Sequence, residues 1–309
     1  MLKFIKLLFT LTLLLQFSLA LKSQEFVGVS QYMYHKQFYN PAAMSSNDNI
    51  NAVMLYRSQW LGMDGAPSVY AFNASLPLKK GAFGIGLSRS TIGIHESNSF
   101  LFSYAYRLQL GKFKYLSFGL SAGLKFQNRN YLAVNSHDKN DDYFSTNLSS
   151  DFVPNLQFGV LLFSKNYYIG LSIPQLVSND IDVVDNKISN NYTFESRKLR
   201  LYLNGGYEYN LTDVWRFNVS SLIKYENNSP LNFDFNLMST YLDKIGFGLS
   251  YRTPEQLMVL LNLRVSKGVK LGYAYHMTFV SNQILNSHEI VLLFNLKKKG
   301  RLRIQSPRF

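Results

Sequence analysis

The chain has 309 residues, no cysteine, a formal charge of +13, and 24 Phe and 21 Tyr beside only 2 Trp. The missing cysteines exclude a disulfide framework and a thiolate metal centre. No segment beyond the N-terminus approaches the ~18 consecutive apolar residues of a membrane-crossing helix. The basic balance admits nucleic acid as a partner, so the positions of the charges have to decide.

Met1 to Ala20 has the layout of a secretory signal: Lys3 and Lys6, then apolar Leu7 to Leu15, then the small residues Ser18-Leu19-Ala20. Cleavage after Ala20 or after Ser23 both fit, giving a signal over 1–23. Residues 24–48 show no clear period; they read as a periplasmic segment or a plug, too apolar for a free tail.

From Ile50 the chain alternates. Ile50, Ala52, Met54, Tyr56, Ser58 and Trp60 fall on one face, Asn51, Val53, Leu55, Arg57 and Gln59 on the other. Gly62, Gly65 and Pro67 break the run. Thirteen further runs follow, at 68–76, 82–92, 98–109, 115–127, 152–163, 167–173, 198–211, 215–225, 231–241, 245–252, 256–265, 269–277 and 287–296. Most match the ~9–11 residues of a tilted membrane strand. Every second connection is short, as in Pro77–Gly81 or Leu242–Lys244. The long ones, 128–151 and 174–197, both fall on the other side. Short turns at one end and long loops at the other are the pattern of an outer-membrane barrel; a soluble two-sheet sandwich explains the alternation but not this parity. The expected fold is therefore all-β, a transmembrane antiparallel barrel of about 14 strands over 49–296, with a basic tail at 297–309.

Charge follows the same partition. The long-loop side carries Asp138, Asp141, Asp142, Asp180, Asp182 and Asp185; the short-turn side carries Lys79, Lys80, Lys112, Lys114, Lys165, Lys244 and Lys267. Within strands, Arg57, Arg107, Lys125, Arg200, Arg216, Lys224, Arg252, Arg264 and Lys270, with Glu208, Asp234 and Glu289, sit largely opposite the aromatics, as candidate lumen charges. A Lys or Arg facing lipid at mid-membrane costs roughly 2–4 kcal/mol, and Arg89 and His288 break the rule only near strand ends. On this pattern Tyr56 and Trp60 face lipid, with Trp60 in the outer aromatic girdle, and Arg57 pairs with Glu208 or Asp234.

Tyr56-Arg57-Ser58-Gln59-Trp60 with Gly65-Ala66-Pro67 resembles the signature of the PorP/SprF family, outer-membrane proteins of the type IX secretion system of Bacteroidetes. Ser30-Gln31-Tyr32-Met33, Tyr39-Asn40-Pro41-Ala42 and Ser287-His288-Glu289-Ile290 are similar to its N-terminal pattern and last strand. The resemblance runs from about Gln24 to Asn295; the long loops match nothing in it. It implies a barrel that is not an enzyme and carries no cofactor. Such a barrel supports secretion or surface attachment of a gliding- or adhesin-type cargo with a C-terminal sorting domain. Its other partners would be periplasmic, peptidoglycan-linked components of the machinery.

The residues themselves carry no catalytic or metal constellation. His35, His95, His137, His276 and His288 are scattered without ligand spacing, and His276 is expected to line the lumen. Asp138-Lys139-Asn140-Asp141-Asp142 lacks the glycine and terminal glutamate of a calcium loop. Gly84-x-Gly86 lies inside a strand, where it cannot cradle phosphate. Signal, strand parity and face partition argue against nucleic acid. Two functions stay open: a cargo-gripping secretion barrel using the two long loops, and a channel for anionic or amphipathic solutes.

Overall fold

The computed structural model describes residues 28–130, 148–149, 152–184, 187–193, 199–227, 229–280 and 283–296, with the backbone alone over 148–149, 178–184 and 187–193. The expected signal and the C-terminal tail lie outside the described residues. The alternating runs become β1 (Ile50–Ser58), β2 (Ser68–Leu78), β3 (Gly81–Ile92), β4 (His95–Gln109), β5 (Tyr115–Arg129), β7 (Val153–Phe163) and β8 (Tyr167–Ile173). They continue as β11 (Arg200–Asn210), β12 (Trp215–Glu226), β13 (Asn232–Tyr241), β14 (Ile245–Arg252), β15 (Gln256–Ser266), β16 (Val269–Val280) and β17 (Gln283–Leu296). Each pairs antiparallel with its neighbours, and β1 closes on β17 from Ile50↔Leu296 to Ser58↔His288. The result is a closed barrel of fourteen strands. β6 (Leu148–Ser149) only extends the pairing of β5, and β9 (Ser178–Val184) with β10 (Lys187–Thr193) forms a separate hairpin in the long 174–197 connection.

Strand 1 stops at Ser58, two residues short of the expected end. Trp60 adopts a left-handed backbone at φ +47°, and Gly62 and Gly65 follow at +87° and +71°. The chain is already turning there, so Trp60 stands in the turn rather than in the alternating strand. It is half-buried, its indole Nε1 is covered, and its backbone N–H donates to Ser287 Oγ at 3.2 Å.

The alternation sorts the two faces of the wall. Met54, Tyr56, Tyr70, Phe83, Phe102, Leu120 and Phe247 are exposed on the outside, whereas Arg57, Asn73, Ser117, Asp234 and Glu289 are buried inside. An apolar exterior needs no further covering in lipid, and the barrel form leaves no strand edge unpaired there. The inside is not uniformly polar. Val53, Leu55, Val69, Ala71, Val291 and Leu293, all pointing inward from β17, β1 and β2, pack against Val29, Tyr32 and Tyr39. Residues 28–49 therefore lie within the barrel and bury an apolar strip that water would otherwise meet. They contain a single helical turn, α1 (Lys36–Tyr39), and a 3₁₀ helix at Pro41–Ser46.

Candidate functional site

The luminal segment runs along the barrel axis. Gly28 lies beside Arg252 and Lys224, at the long-loop ends of β14 and β12. Asp48 lies beside Arg107, near the short-turn end of β4, and the chain then enters β1. The segment's upstream end thus sits toward the long loops, and its downstream end is tied to the wall at the short turns.

Barrel side chains hold the upstream end through its main chain. Glu289 accepts the backbone N–H of Ser30 at 2.8 Å and of Gln31 at 2.9 Å, one on each carboxylate oxygen. Arg252 donates to the carbonyls of Gly28 and Val29, both at 3.0 Å, and Asn236 Nδ2 donates to that of Ser30 at 3.2 Å. Ser30 Oγ lies 3.2 Å from His276 Nε2. Arg252 can point its guanidinium at these carbonyls because Asp234 grips its other side, accepting from Nε at 2.6 Å and Nη2 at 2.9 Å. Lys224 Nζ reaches the same carboxylate at 3.3 Å. Hydrogen bonds to charged groups contribute about 1.5–3 kcal/mol each, so this ring outweighs the neutral contacts around it. Inside the segment, the Tyr39 hydroxyl accepts from Val29 N–H at 2.8 Å and donates to Val29 C=O at 3.1 Å.

The downstream end fits by shape and neutral bonds, closed by one buried ion pair. Asn40 Oδ1 accepts the N–H of Ala42 at 3.0 Å, capping the 3₁₀ helix with Pro41 at its first position. Its Nδ2 donates to Val160 C=O at 3.0 Å on β7. The wall beneath is built of glycine: a Cβ on Gly119 would fall on Pro41 and Ala42, and one on Gly159 would fall on Asn40 Oδ1. Gly84 likewise clears the sulfur of Met44. Ser117 Oγ donates to Ala42 C=O at 3.0 Å and accepts from Ser45 Oγ at 2.6 Å. Arg107 donates to Ser45 C=O at 2.6 Å and pairs with Asp48 at 3.2 Å.

Between these ends sit buried titratable groups. His35 is buried with neither ring nitrogen hydrogen-bonded among the described residues, and burial pushes it down to about 3, so the imidazole is neutral. Burial brings Lys36 down to about 8 against the opposing pull of Glu208, and its ammonium stands 4.4 Å over the ring of Tyr168.

The remaining sequence candidates divide. Arg57 is buried but does not join Glu208 or Asp234 in any ion pair among the described residues. It stands directly across from Glu289, and its Nε and Nη1 lack hydrogen-bond partners among the described residues. The expected pairing fails because both acids are taken by nearer bases: Asp234 by Arg252 and Lys224, and Glu208 by Arg216 at 3.9 Å. Arg216 and Arg264 also converge on Asp243 at a short turn, where they hold its carboxyl below the usual range. Arg200 pairs with Glu226 at 2.8 Å, and Lys125 occupies the inward face of β5 across from Ser99. Tyr32 is buried. Tyr56 is outward and meets Tyr70 at 4.8 Å between ring centres. Gln59 N–H donates to Pro67 C=O at 2.9 Å, and Gly65 C=O accepts from Gly93 N–H at 2.8 Å, so this part of the motif ties together the first two connections at the long-loop end. Asp180 and Asp182 lie on β9, where only the backbone is described; Asp138, Asp141, Asp142 and Asp185 lie outside the described residues.

Sequence reasoning missed Gly119 and Gly159, and saw Arg252, Lys224 and His276 only as lumen lining. The small inward run Ser117, Gly119, Ser121, Gly123 was the available signal for a body packed against the wall.

A closed antiparallel barrel, apolar outside and charged within, is the architecture of an outer-membrane protein. One solved channel structure agrees. The CymD monoaromatic hydrocarbon channel aligns at a TM-score of 0.54 with 12% identity, over 88% of this chain and 94% of that one. The Acinetobacter baumannii outer membrane protein Omp33 aligns at 0.45 with 7% identity, over 81% and 100%. A search of curated proteins finds no match. The family model for the type IX secretion system membrane protein PorP/SprF matches residues 21–294. The chain belongs to the PorP/SprF family.

Proposed function

We propose that this barrel supports secretion or surface attachment of a cargo protein, with its lumen closed at rest by residues 28–49. The observation that carries the reading is the occupancy of the lumen: charged wall residues bind the main chain of 28–31, and the wall is glycine where Asn40 to Ala42 pass. A wall shaped to the protein's own segment favours handling polypeptide over passing solutes. The long connections 128–151 and 174–197 would face the cell exterior and grip a cargo with a C-terminal sorting domain through Asp138, Asp141, Asp142, Asp180, Asp182 and Asp185. The Lys-rich short turns would face periplasmic, peptidoglycan-linked components of the machinery. The signal over 1–23 would be removed after Ala20 or Ser23. No nucleic acid or cofactor takes part.

Deleting both long connections tests this: surface display or secretion of the cargo should fall while the barrel still inserts, and unchanged display would overturn the gripping role. A channel for anionic or amphipathic solutes is the second reading, favoured by Arg57, whose Nε and Nη1 lack hydrogen-bond partners among the described residues. Steady single-channel conductance by the intact chain would support it; conductance appearing only when 24–48 is deleted would support closure by the segment.

A further inference from the structure

We propose that the outer wall of the barrel holds one acyl chain of a lipid in a trough across β17, β1, β2, β3, β4 and β5, independently of the function proposed above. A cavity of about 670 Å³ opens there on the lipid-facing side. Its lining takes at least one outward side chain from each strand: Ile290, Met54, Tyr70, Leu87, Phe100 and Phe126. Outward side chains on a round barrel splay apart and cannot enclose a shared volume; here six successive strands contribute to one. Phe72, Phe100 and Phe126 are half-buried although they point outward, while Phe83, Phe102 and Phe247 on the same outer surface are exposed.

The chemistry of the trough selects its occupant. Neighbouring strands are about 4.8 Å apart, so the trough is roughly 24 Å across, long and narrow. Its volume falls in the ~300–1,000 Å³ range of sites that take small ligands. The lining is aliphatic and aromatic apart from Ser88, Arg89, Asn98 and Ser99; Arg89 and Asn98 face each other across β3 and β4 in the row nearer the long loops, flanked by Tyr70 and Phe126. Arg89 pairs with Glu96 at 3.0 Å yet remains 57% exposed, a position where a cation meets an anionic headgroup at the membrane surface. Hydrocarbon fits the body of the trough and a lipid phosphate fits its rim. A second protein would bring backbone polar groups into a surface that offers them no partners at that depth.

The test uses the barrel with Trp60→Phe and Trp215→Phe and one new tryptophan, at Phe100→Trp in the trough or Phe247→Trp on the far wall. Both proteins are reconstituted in vesicles of dibrominated phosphatidylethanolamine and diluted into unbrominated detergent. The F100W barrel should stay quenched at least severalfold longer than the F247W barrel, because its neighbouring chain is held. Simultaneous recovery of the two overturns the proposal. Native mass spectrometry of the unaltered chain supplies the second readout: one retained lipid per barrel is expected, reduced about tenfold by Leu87→Trp. No retained lipid, or a stoichiometric protein in its place, overturns it.

Discussion

Residues 28–31 are held mainly by charged side chains that read main-chain atoms, whereas residues 40–48 are held by glycine-lined space, a cap, serine hydroxyls and one ion pair, Arg107 with Asp48. At the first end Glu289, Arg252 and Asn236 contact N–H and C=O groups of the segment. At the second, Gly119 and Gly159 admit the chain so closely that no Cβ could stand in their place. Charge-assisted bonds are strong but fail together when one ion is lost; steric fit is weaker per contact and fails locally. The segment is covalently continuous with β1 only at the sterically fitted end. With Arg107 and Asp48 also anchoring the continuous end, the arrangement predicts that residues 28–31 leave first and that the glycine-lined end acts as the hinge.

The largest effect should come from Asp234→Ala. It strips Arg252 and Lys224 of their shared carboxylate, leaving buried cations uncompensated at about 3–5 kcal/mol. Protease cleavage within 28–39 of the detergent-solubilised barrel should rise by orders of magnitude, while the heat-stable migration of the folded barrel persists. If cleavage is unchanged, the charged end is not the one that leaves first.

Gly119→Val sharpens the other side. Its side chain would occupy the space of Pro41 and Ala42, and overpacking of this kind costs about 1–3 kcal/mol. Cleavage should then increase around residues 40–46 and leave 28–31 protected. Cleavage spread evenly along the segment would show that the two ends move as one.

The strand framework was legible because period-two alternation is a property of each strand alone, and the alternating runs fall where the barrel strands lie. Arg57 shows where that stops. Its neighbour across the seam is Glu289, a relation fixed by barrel closure and separated by most of the chain, so local spacing pointed to the wrong acids. The end of strand 1 was set too late for another reason: the turn through Gly62 and Gly65 begins earlier than the alternation suggests. Recognition of the main chain of 28–31 leaves no mark in the sequence of the segment, since any residue carries the same N–H and C=O. What is visible in the wall is only the small run Ser117 to Gly123, which announces close approach without saying what approaches.

Acid should loosen the segment between its two ends. His35 is held at about 3 by burial, against an ordinary value of 6.5. A base with a depressed value stabilises the packed state fully above its ordinary value, and this contribution falls away as pH drops toward the packed value. From pH 6.5 downward each unit should shift the packed–released equilibrium about tenfold, read as cleavage or conductance. His35→Phe should flatten the profile down to about pH 4.5, where carboxylates in general begin to titrate. An unchanged profile in H35F would assign the pH response to those carboxylates.

Asn40 makes the smallest change and separates two roles in one side chain. Asn40→Ala loses the cap on Ala42, about 1 kcal/mol, and the donation to Val160 C=O. Asn40→Asp keeps the capping acceptor but presents a carboxylate oxygen to the carbonyls of Val160 and Leu171, both of which Nδ2 now serves. If the glycine-lined end is organised by its contact with the wall, N40D should be cleaved faster than N40A, because a buried anion facing two carbonyls is worse than an empty position. If the cap organises it, N40D should approach the unaltered chain. The wall reading is the stronger on geometry: Gly159 and Gly170 leave room for this amide where any other residue would displace it.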